Sequence, residues 1–298
     1  MEYHNPVLLK ESVDGLDIKP DGTYVDVTFG GGGHSREILS RLGENGKLFA
    51  FDQDEDAQRN IIDDPRFTLI PQNFRFISRY LRFYGVQKVD GILGDLGVSS
   101  HQFDAAERGF STRFDGELDM RMNQSDGLSA YEIVNNYEES EIANILFQYG
   151  ELRNSRAIAS RIVEVREDSP IKTSFQLKEA LKQFLPESKA HKILAQIYQA
   201  IRIEVNQELE VLKEFLLQTT DLLEKNGRLS VISYHSLEDR LVKRFIRNGM
   251  FDGEPEKDFF GNVSVPFKKV GKMIIPTNEE IKQNNRARSA KLRIAKRI

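Results

Sequence analysis

The chain has 298 residues, 39% of them hydrophobic and 30% charged, with 42 Lys and Arg against 46 Asp and Glu for a net charge of −4. That balance describes a globular protein long enough for one large or two ordinary cores, and its negative sign argues against a phosphate-binding surface spread over the whole chain. The absence of cysteine excludes disulfides and thiolate zinc sites; with no signal-peptide core in the first ten residues and no apolar run of membrane-spanning length, a cytoplasmic protein without a membrane partner is expected.

Residues 1 to 22 read as a lead-in in which Val7, Leu8 and Leu9 pack on the core and Pro20-Asp-Gly22 turns the chain. A β-branched and aromatic run from Thr23 to Phe29 then ends in four glycines, Gly30 to Gly33, followed by a helical pattern from His34 to Leu42. Glycine lets backbone N–H groups approach a ligand, as in the first turn of doubly wound sheets. A second run, Lys47 to Phe51, ends in Asp52, about 20 residues after the glycines, where such folds set a carboxylate against ribose hydroxyls. The bland alternative is an ordinary turn with a helix-capping aspartate. Gly30-x-Gly32-x-x-Ser35 lacks the third glycine of the dinucleotide fingerprint, and no Gly-Lys-Ser/Thr follows. An adenosine ligand without a pyrophosphate, such as S-adenosylmethionine, therefore fits better than NAD or ATP.

Strand three is expected at Phe67 to Ile70, a helix at Phe74 to Tyr84, and strand four at Val89 to Asp95, again ending in an acid. This alternation implies a parallel sheet. From Leu96 to about Ser129 periodicity is lost, and Arg108, Phe110, Arg113, Phe114 and Arg121 interleave cations with rings. Such a segment suits a single-stranded nucleic-acid groove, or else a surface loop anchored by its phenylalanines. Helices follow: Glu139 to Tyr149, Ser155 to Arg166, one from the capping box Thr173 to Gln176 as far as Phe184, and then Lys189 to Val205 and Gln207 to Leu223, two helices or one bent near Asn206. Strand five is expected at Arg228 to Ser233 after the turn Lys225-Asn-Gly227, with Ser236-Leu-Glu-Asp239 as a capping box for the next helix. Val263 to Phe267 and Lys272 to Ile275 read as a closing hairpin. Beyond it, Lys282 to Ile298 holds seven Lys or Arg and no acid, a weak RNA signal shared with Arg240, Lys243, Arg244 and Arg247. The expected organisation is α/β: a doubly wound sheet in residues 1–105 and 206–298, interrupted by an all-helical insertion at 106–205.

Ligands of doubly wound sheets lie beyond the carboxyl ends of the strands. Asp26, Asp52, Asp95 and His235 should therefore converge on one crevice. Asp26 could orient the glycine loop or accept from a ligand amine, and the structural role is preferred. His34 is either a first-turn residue of its helix or a ligand contact. The remaining histidines, His4, His101 and His191, show no metal-ligand spacing, so no metal is expected.

Phe29-Gly-Gly-Gly-Gly-His-Ser35, Gly94-Asp-Leu-Gly-Val-Ser-Ser100, Glu107-Arg-Gly-Phe-Ser111, Leu118-Asp-Met-Arg-Met122, Ile201-Arg-Ile-Glu-Val-Asn206, His235-Ser-Leu-Glu-Asp-Arg240 and Arg286-Ala-Arg-Ser289 together resemble the RsmH (MraW) family of bacterial small-subunit rRNA cytosine-N(4) methyltransferases. The resemblance runs from Val7 nearly to the last residue. It implies a class I, Rossmann-like S-adenosylmethionine-dependent methyltransferase with an inserted helical substrate-recognition domain, acting on the decoding region of small-subunit rRNA within the small ribosomal subunit. Carried over by motif, cofactor contacts fall on Gly32, Gly33, His34, Asp52, Phe74, Asp95 and Gln102, with Asp52 on the ribose. Two departures stand out: Asn284-Asn285-Arg286 lacks the proline common before that arginine, and Asp95 is followed by Leu-Gly-Val, not the Pro-Pro-aromatic of many amino-methylating enzymes.

On this reading Asp95, or a backbone carbonyl beside it, accepts the cytosine amine proton, with Tyr234 and His235 as second candidates. Phe110 or Phe114 stacks on the base, and Arg108, Arg113, Arg240, Arg244, Arg286 and Arg288 contact RNA. The rivals are a non-catalytic ribosome-assembly factor, a small-molecule methyltransferase with a lid, and an NAD-linked oxidoreductase.

Overall fold

β1 (Thr23–Asp26) is a short run whose last three side chains are all buried, so both its faces are covered, the condition of a central parallel strand. In the structure, a computed structural model describing residues 6–98, 105–125, 127–255, 259–261 and 263–298, β1 lies between β2 (Lys47–Phe51) and β4 (Val89–Asp95). β3 (Phe67–Ile70) pairs with β2, and β5 (Leu223–Ser233) with β4, all in parallel. The sheet is completed by β6 (Phe267–Ile274) and β7 (Lys291–Arg297) in the order β3-β2-β1-β4-β5-β7-β6. Strand order reverses between β1 and β4, which places the ligand crevice at their carboxyl ends.

Two sequence expectations change here. β5 begins at Leu223, which pairs with Val89; the Lys225-Asn-Gly227 turn bulges out of the strand, with Asn226 at φ 71°, before pairing resumes at Arg228 opposite Gly91. Among the described residues no hairpin joins 263–267 to 272–275. Residues 267–274 are one strand, and its partner is β7, the very segment read as a basic tail. Leu292, Ile294 and Ala295 are buried, while Arg293 ion-pairs with Asp239 at 2.6 Å and Arg297 donates from Nε to the Thr220 carbonyl at 2.9 Å. The cations of β7 are rim residues of a buried strand.

The chain forms two compact units, residues 1–97 with 209–298, and residues 98–208. In the first, α1 (Leu9–Asp14) and α2 (Gly33–Arg41) cover one set of sheet side chains through Val13, Ile38 and Leu39. α3 (Ile77–Phe83) and α9 (Glu208–Leu222) pack Ile77, Leu81, Leu212, Phe215 and Leu216 against another, and α10 (Ser236–Asn248) adds Val242, Phe245 and Ile246.

The second unit is helical: α4 (Ala130–Asn136), α5 (Glu139–Gln148), α6 (Ser155–Asp168), α7 (Ser174–Ala180) and α8 (Ala190–Asn206) enclose one core of Ile133, Leu146, Ile158, Leu177 and Ile197, among others. α8 buries Leu194, Ile197, Tyr198 and Ile201, the spacing of one helical face. It stops at Gln207, whose φ of 50° breaks the helix, so α8 and α9 are separate. Among the described residues no helix is long and apolar enough to cross a membrane.

Candidate active site

Beyond β1 the chain turns sharply. Gly30 (φ 49°) and Gly32 (φ 76°) take left-handed conformations, and a Cβ at Gly30 would have no heavy atom within 4 Å, so the turn faces open space there. Gly33 is pressed against Pro6 and opens α2. The turn is held from below by Asp26, whose Oδ1 accepts from the Thr28 N–H at 3.1 Å and whose Oδ2 accepts from the Ser35 hydroxyl at 2.7 Å. Burial pushes the Asp26 carboxyl above its ordinary range, against these hydrogen bonds. Both oxygens are occupied and nothing of the residue is exposed, which is the structural role preferred from sequence.

Asp52, at the end of β2, is arranged differently. Its Oδ2 accepts from the Gly30 N–H at 2.8 Å and its Oδ1 from the Asp54 N–H at 2.9 Å, so each oxygen keeps a lone pair. Burial pushes its carboxyl up to about 6. Two acceptor oxygens beside an open glycine turn fit two vicinal ribose hydroxyls. A residue unread in the sequence steadies this corner: Asn73 donates from Nδ2 to Gln53 Oε1 at 2.9 Å, tying the loop after β3 to the one after β2. Asn73 also caps the turn holding Phe74, whose ring lies edge-on to Phe215 at 5.3 Å.

At the end of β4, the Asp95 N–H donates to Thr28 Oγ1 at 2.7 Å, fastening this strand end to the turn after β1. The Asp95 carboxylate accepts a 2.7 Å hydrogen bond from the Tyr234 hydroxyl on Oδ1, while Oδ2 lies 3.9 Å from His34 Nδ1. His34 is buried, with Nε2 3.2 Å from the Val7 carbonyl, so its ring backs the site from the first turn of α2. The Asp95 side chain stays 21% exposed. Burial pushes its carboxyl up to about 6, partly offset by His34 and by the Tyr234 hydrogen bond. Tyr234 is driven well above the ordinary phenol range by burial and by Asp95, so it remains a donor.

His235 does not face this carboxylate. It is the N-cap of α10, with Nδ1 accepting from the Glu238 N–H at 3.5 Å and Nε2 3.1 Å from Glu238 Oε1. The capping box is His235 to Glu238, one residue earlier than the Ser236 to Asp239 box expected. Glu238 is the group that sequence reasoning missed: its buried Oε2 accepts from the Tyr234 N–H at 3.0 Å and holds the corner that aims Tyr234. Gln102, also expected at the cofactor, lies outside the described residues, as do His4 and His101.

The expected RNA contacts separate into two groups. Arg108 is 3% exposed and spends its guanidinium on the Arg121 and Met122 carbonyls at 2.8 and 3.1 Å; Phe110, 4% exposed, sits in the helical core under it. This corrects both assignments: a buried ring offers no face to a base. Arg121 pairs with Asp119 at 2.6 Å. Arg113, Phe114, Arg240 and Arg288 are exposed, while Arg244 and Arg286 are half-buried, Arg244 bonding the Gly253 carbonyl.

Fold and site together assign the chain to the Rossmann-like S-adenosyl-L-methionine-dependent methyltransferases. It belongs to the MraW methylase family, which it matches over residues 1–298. It is 70% identical to the ribosomal RNA small subunit methyltransferase H of Flavobacterium johnsoniae over 298 residues, covering 100% of this chain and 99% of the relative. With the proteins of the same description from Christiangramia forsetii and Bacteroides thetaiotaomicron the identities are 69% and 58%, each over 100% of this chain and 99% and 98% of the relative. Among solved structures it is similar to a putative rRNA methylase from Clostridium thermocellum, at 16% identity and a TM-score of 0.45 over 98% of each chain.

Proposed function

We propose that the protein methylates the N4 amine of a cytosine in the decoding region of small-subunit rRNA, in the cytoplasm and within the small ribosomal subunit. Full-length relatives named for small-subunit rRNA support the substrate class. The observation that carries the chemistry is Asp95: a partly exposed carboxylate at the switch point, oriented by Tyr234.

Asp52 would hold the ribose of the cofactor, the Gly30–Gly33 turn and the first turn of α2 would pass beneath it, and Phe74 would lie at its adenine side. When bound, S-adenosylmethionine supplies an electrophilic sulfonium methyl group and becomes a neutral thioether once the methyl has gone. The chain's task is then alignment, since a cytosine amine is a weak nucleophile and correct placement alone is worth roughly 7–11 kcal/mol. Asp95 accepts a hydrogen bond from the amine, turning the nitrogen lone pair toward the methyl group, and takes the proton as the N–C bond forms. Tyr234 fixes the rotamer of Asp95 and is a positioning residue, not a proton acceptor. His235 holds the corner. The helical unit would recognise the RNA through its exposed Arg113 and Phe114, with Arg240 and Arg288 of the sheet unit as further exposed contacts and Arg244 and Arg286 as secondary ones.

The test is transfer of labelled methyl from S-adenosylmethionine to small ribosomal subunits from cells lacking this gene, followed by nucleoside digestion. Label in N(4)-methylcytidine is expected. Cofactor binding with no label in RNA, or label in another nucleoside, overturns the reading.

A further inference from the structure

Loss of Phe110 as a stacking ring leaves open what grips the bases, and the helical unit holds a better arrangement than the sequence disclosed. The loop carrying Arg113 and Phe114 is bonded along its length to the start of α7. The Ser174 N–H donates to the Gly116 carbonyl at 2.9 Å, the Ser174 hydroxyl reaches the Phe114 carbonyl at 3.2 Å, and the Phe175 N–H donates to Asp115 Oδ1 at 3.0 Å. A bridge pairs Glu117 with Thr173, and the Tyr198 hydroxyl from α8 anchors the Ser174 carbonyl at 2.7 Å. The Phe175 N–H also holds the Asp115 carboxyl below its ordinary range.

On this fastened junction two rings stand in the open: Phe114, 52% exposed, and Phe175, 40% exposed. Scattered surface apolar residues need no explanation. These two flank one hydrogen-bonded junction, with a cation over one ring and an exposed arginine preceding the other in the chain. The Lys178 ammonium lies 5.4 Å from the Phe175 ring centroid, and Arg113, next to Phe114, is exposed. Aromatic faces bordered by cations on a rigid scaffold are what unpaired nucleotides stack on, with phosphates answered by the charges.

We propose that Phe114 and Phe175, with Arg113 and Lys178, form a stacking platform for unpaired nucleotides of the rRNA substrate. The proposal rests on the rRNA reading above and adds a binding surface to it.

The experiment compares Phe114→Ala, Phe175→Ala and the double variant with Phe147→Ala, which removes another exposed ring of the same unit. Filter binding gives Kd for unmethylated small subunits, methyl transfer gives kcat and KM, and calorimetry gives the affinity for S-adenosylmethionine. Each platform variant should weaken Kd and raise KM about tenfold, leaving cofactor affinity, melting temperature and kcat unchanged, while Phe147→Ala changes none of them. Phe175→Trp should restore binding and Phe175→Leu should not, because stacking needs a π face. Unchanged Kd in the double variant overturns the platform. So does equal rescue by Leu, which would mean an apolar contact with a protein of the subunit. Wild type that binds subunits but transfers no label refutes the proposed reaction alone, since the binding arm reads the platform independently.

Discussion

The ends of β1 and β4 are neighbours in one sheet, and each closes on an aspartate raised by burial. At β1, each oxygen of Asp26 accepts from the turn it supports and the residue has no exposure. At β4, Asp95 has one oxygen set by Tyr234 and the other, among the described residues, set against an imidazole 3.9 Å away, with a fifth of the side chain in the open. Position at a strand end brings a carboxylate to the crevice. Whether an accepting oxygen still opens onto the crevice decides if it builds the site or works in it.

The same isosteric change at both positions should separate them most widely. Asp95→Asn should lower kcat by about 100-fold or more, the scale of a lost general base, whereas Asp26→Asn should stay within a few-fold, because its amide can donate to a reoriented Ser35 hydroxyl. Steady-state methyl transfer on both variants checks this; equal losses would erase the distinction. Truncation shows the reverse. Asp26→Ala strands the Thr28 N–H and the Ser35 hydroxyl in the interior and should cost about 2–4 kcal/mol in urea unfolding.

Stability against pH sharpens the comparison further. The Asp95 carboxyl, near 6 when folded, lies above its unfolded value of 3.8, so its ionisation subtracts stability fully above about pH 6 and not at all below about pH 4. Asp95→Asn should therefore be more stable than wild type by on the order of 1–3 kcal/mol at pH 7.5, with the gain gone near pH 4. Activity runs the other way, falling below about pH 6 as Asp95 protonates. Asp52, also near 6, should raise the KM for the cofactor over the same range. Tyr234→Phe removes a donor that holds the Asp95 carboxyl down, so the acid limb of the kcat profile should move to higher pH. The smallest effect belongs to His235→Ala: about 1 kcal/mol for a lost cap, with kcat within about threefold.

Much of the sheet was legible because β1 to β4 are apolar runs punctuated by Gly, Pro and Asp, and their length alone places Asp52 and Asp95 at strand ends. β7 was not. Its apolar positions, Leu292, Ile294 and Ala295, are interleaved with Lys and Arg, and its partners β5 and β6 are fixed by pairing, not by local pattern. Arg108 and Phe110 failed for a related reason: the segment holding them folds back on itself, with Gly109 at φ 71° against the Glu117 carbonyl, and burial of a loop depends on what it meets. At the α10 corner the residues His235 to Asp239 contain two overlapping capping boxes. The choice between them lies in the hydrogen bonds to Glu238, which spacing does not encode.

β6 reaches the sheet only through β7, which follows it in the chain and is inserted between it and β5. β6 therefore has no strand to pair with in this sheet until residues 291–297 lie beside β5. Its exposed Lys268, Lys269 and Lys272 would keep that unpaired edge from pairing with other chains. Removing residues 291–297 would therefore detach two strands at once, leaving the glycine turn and all three strand-end aspartates in a sheet that stops at β5.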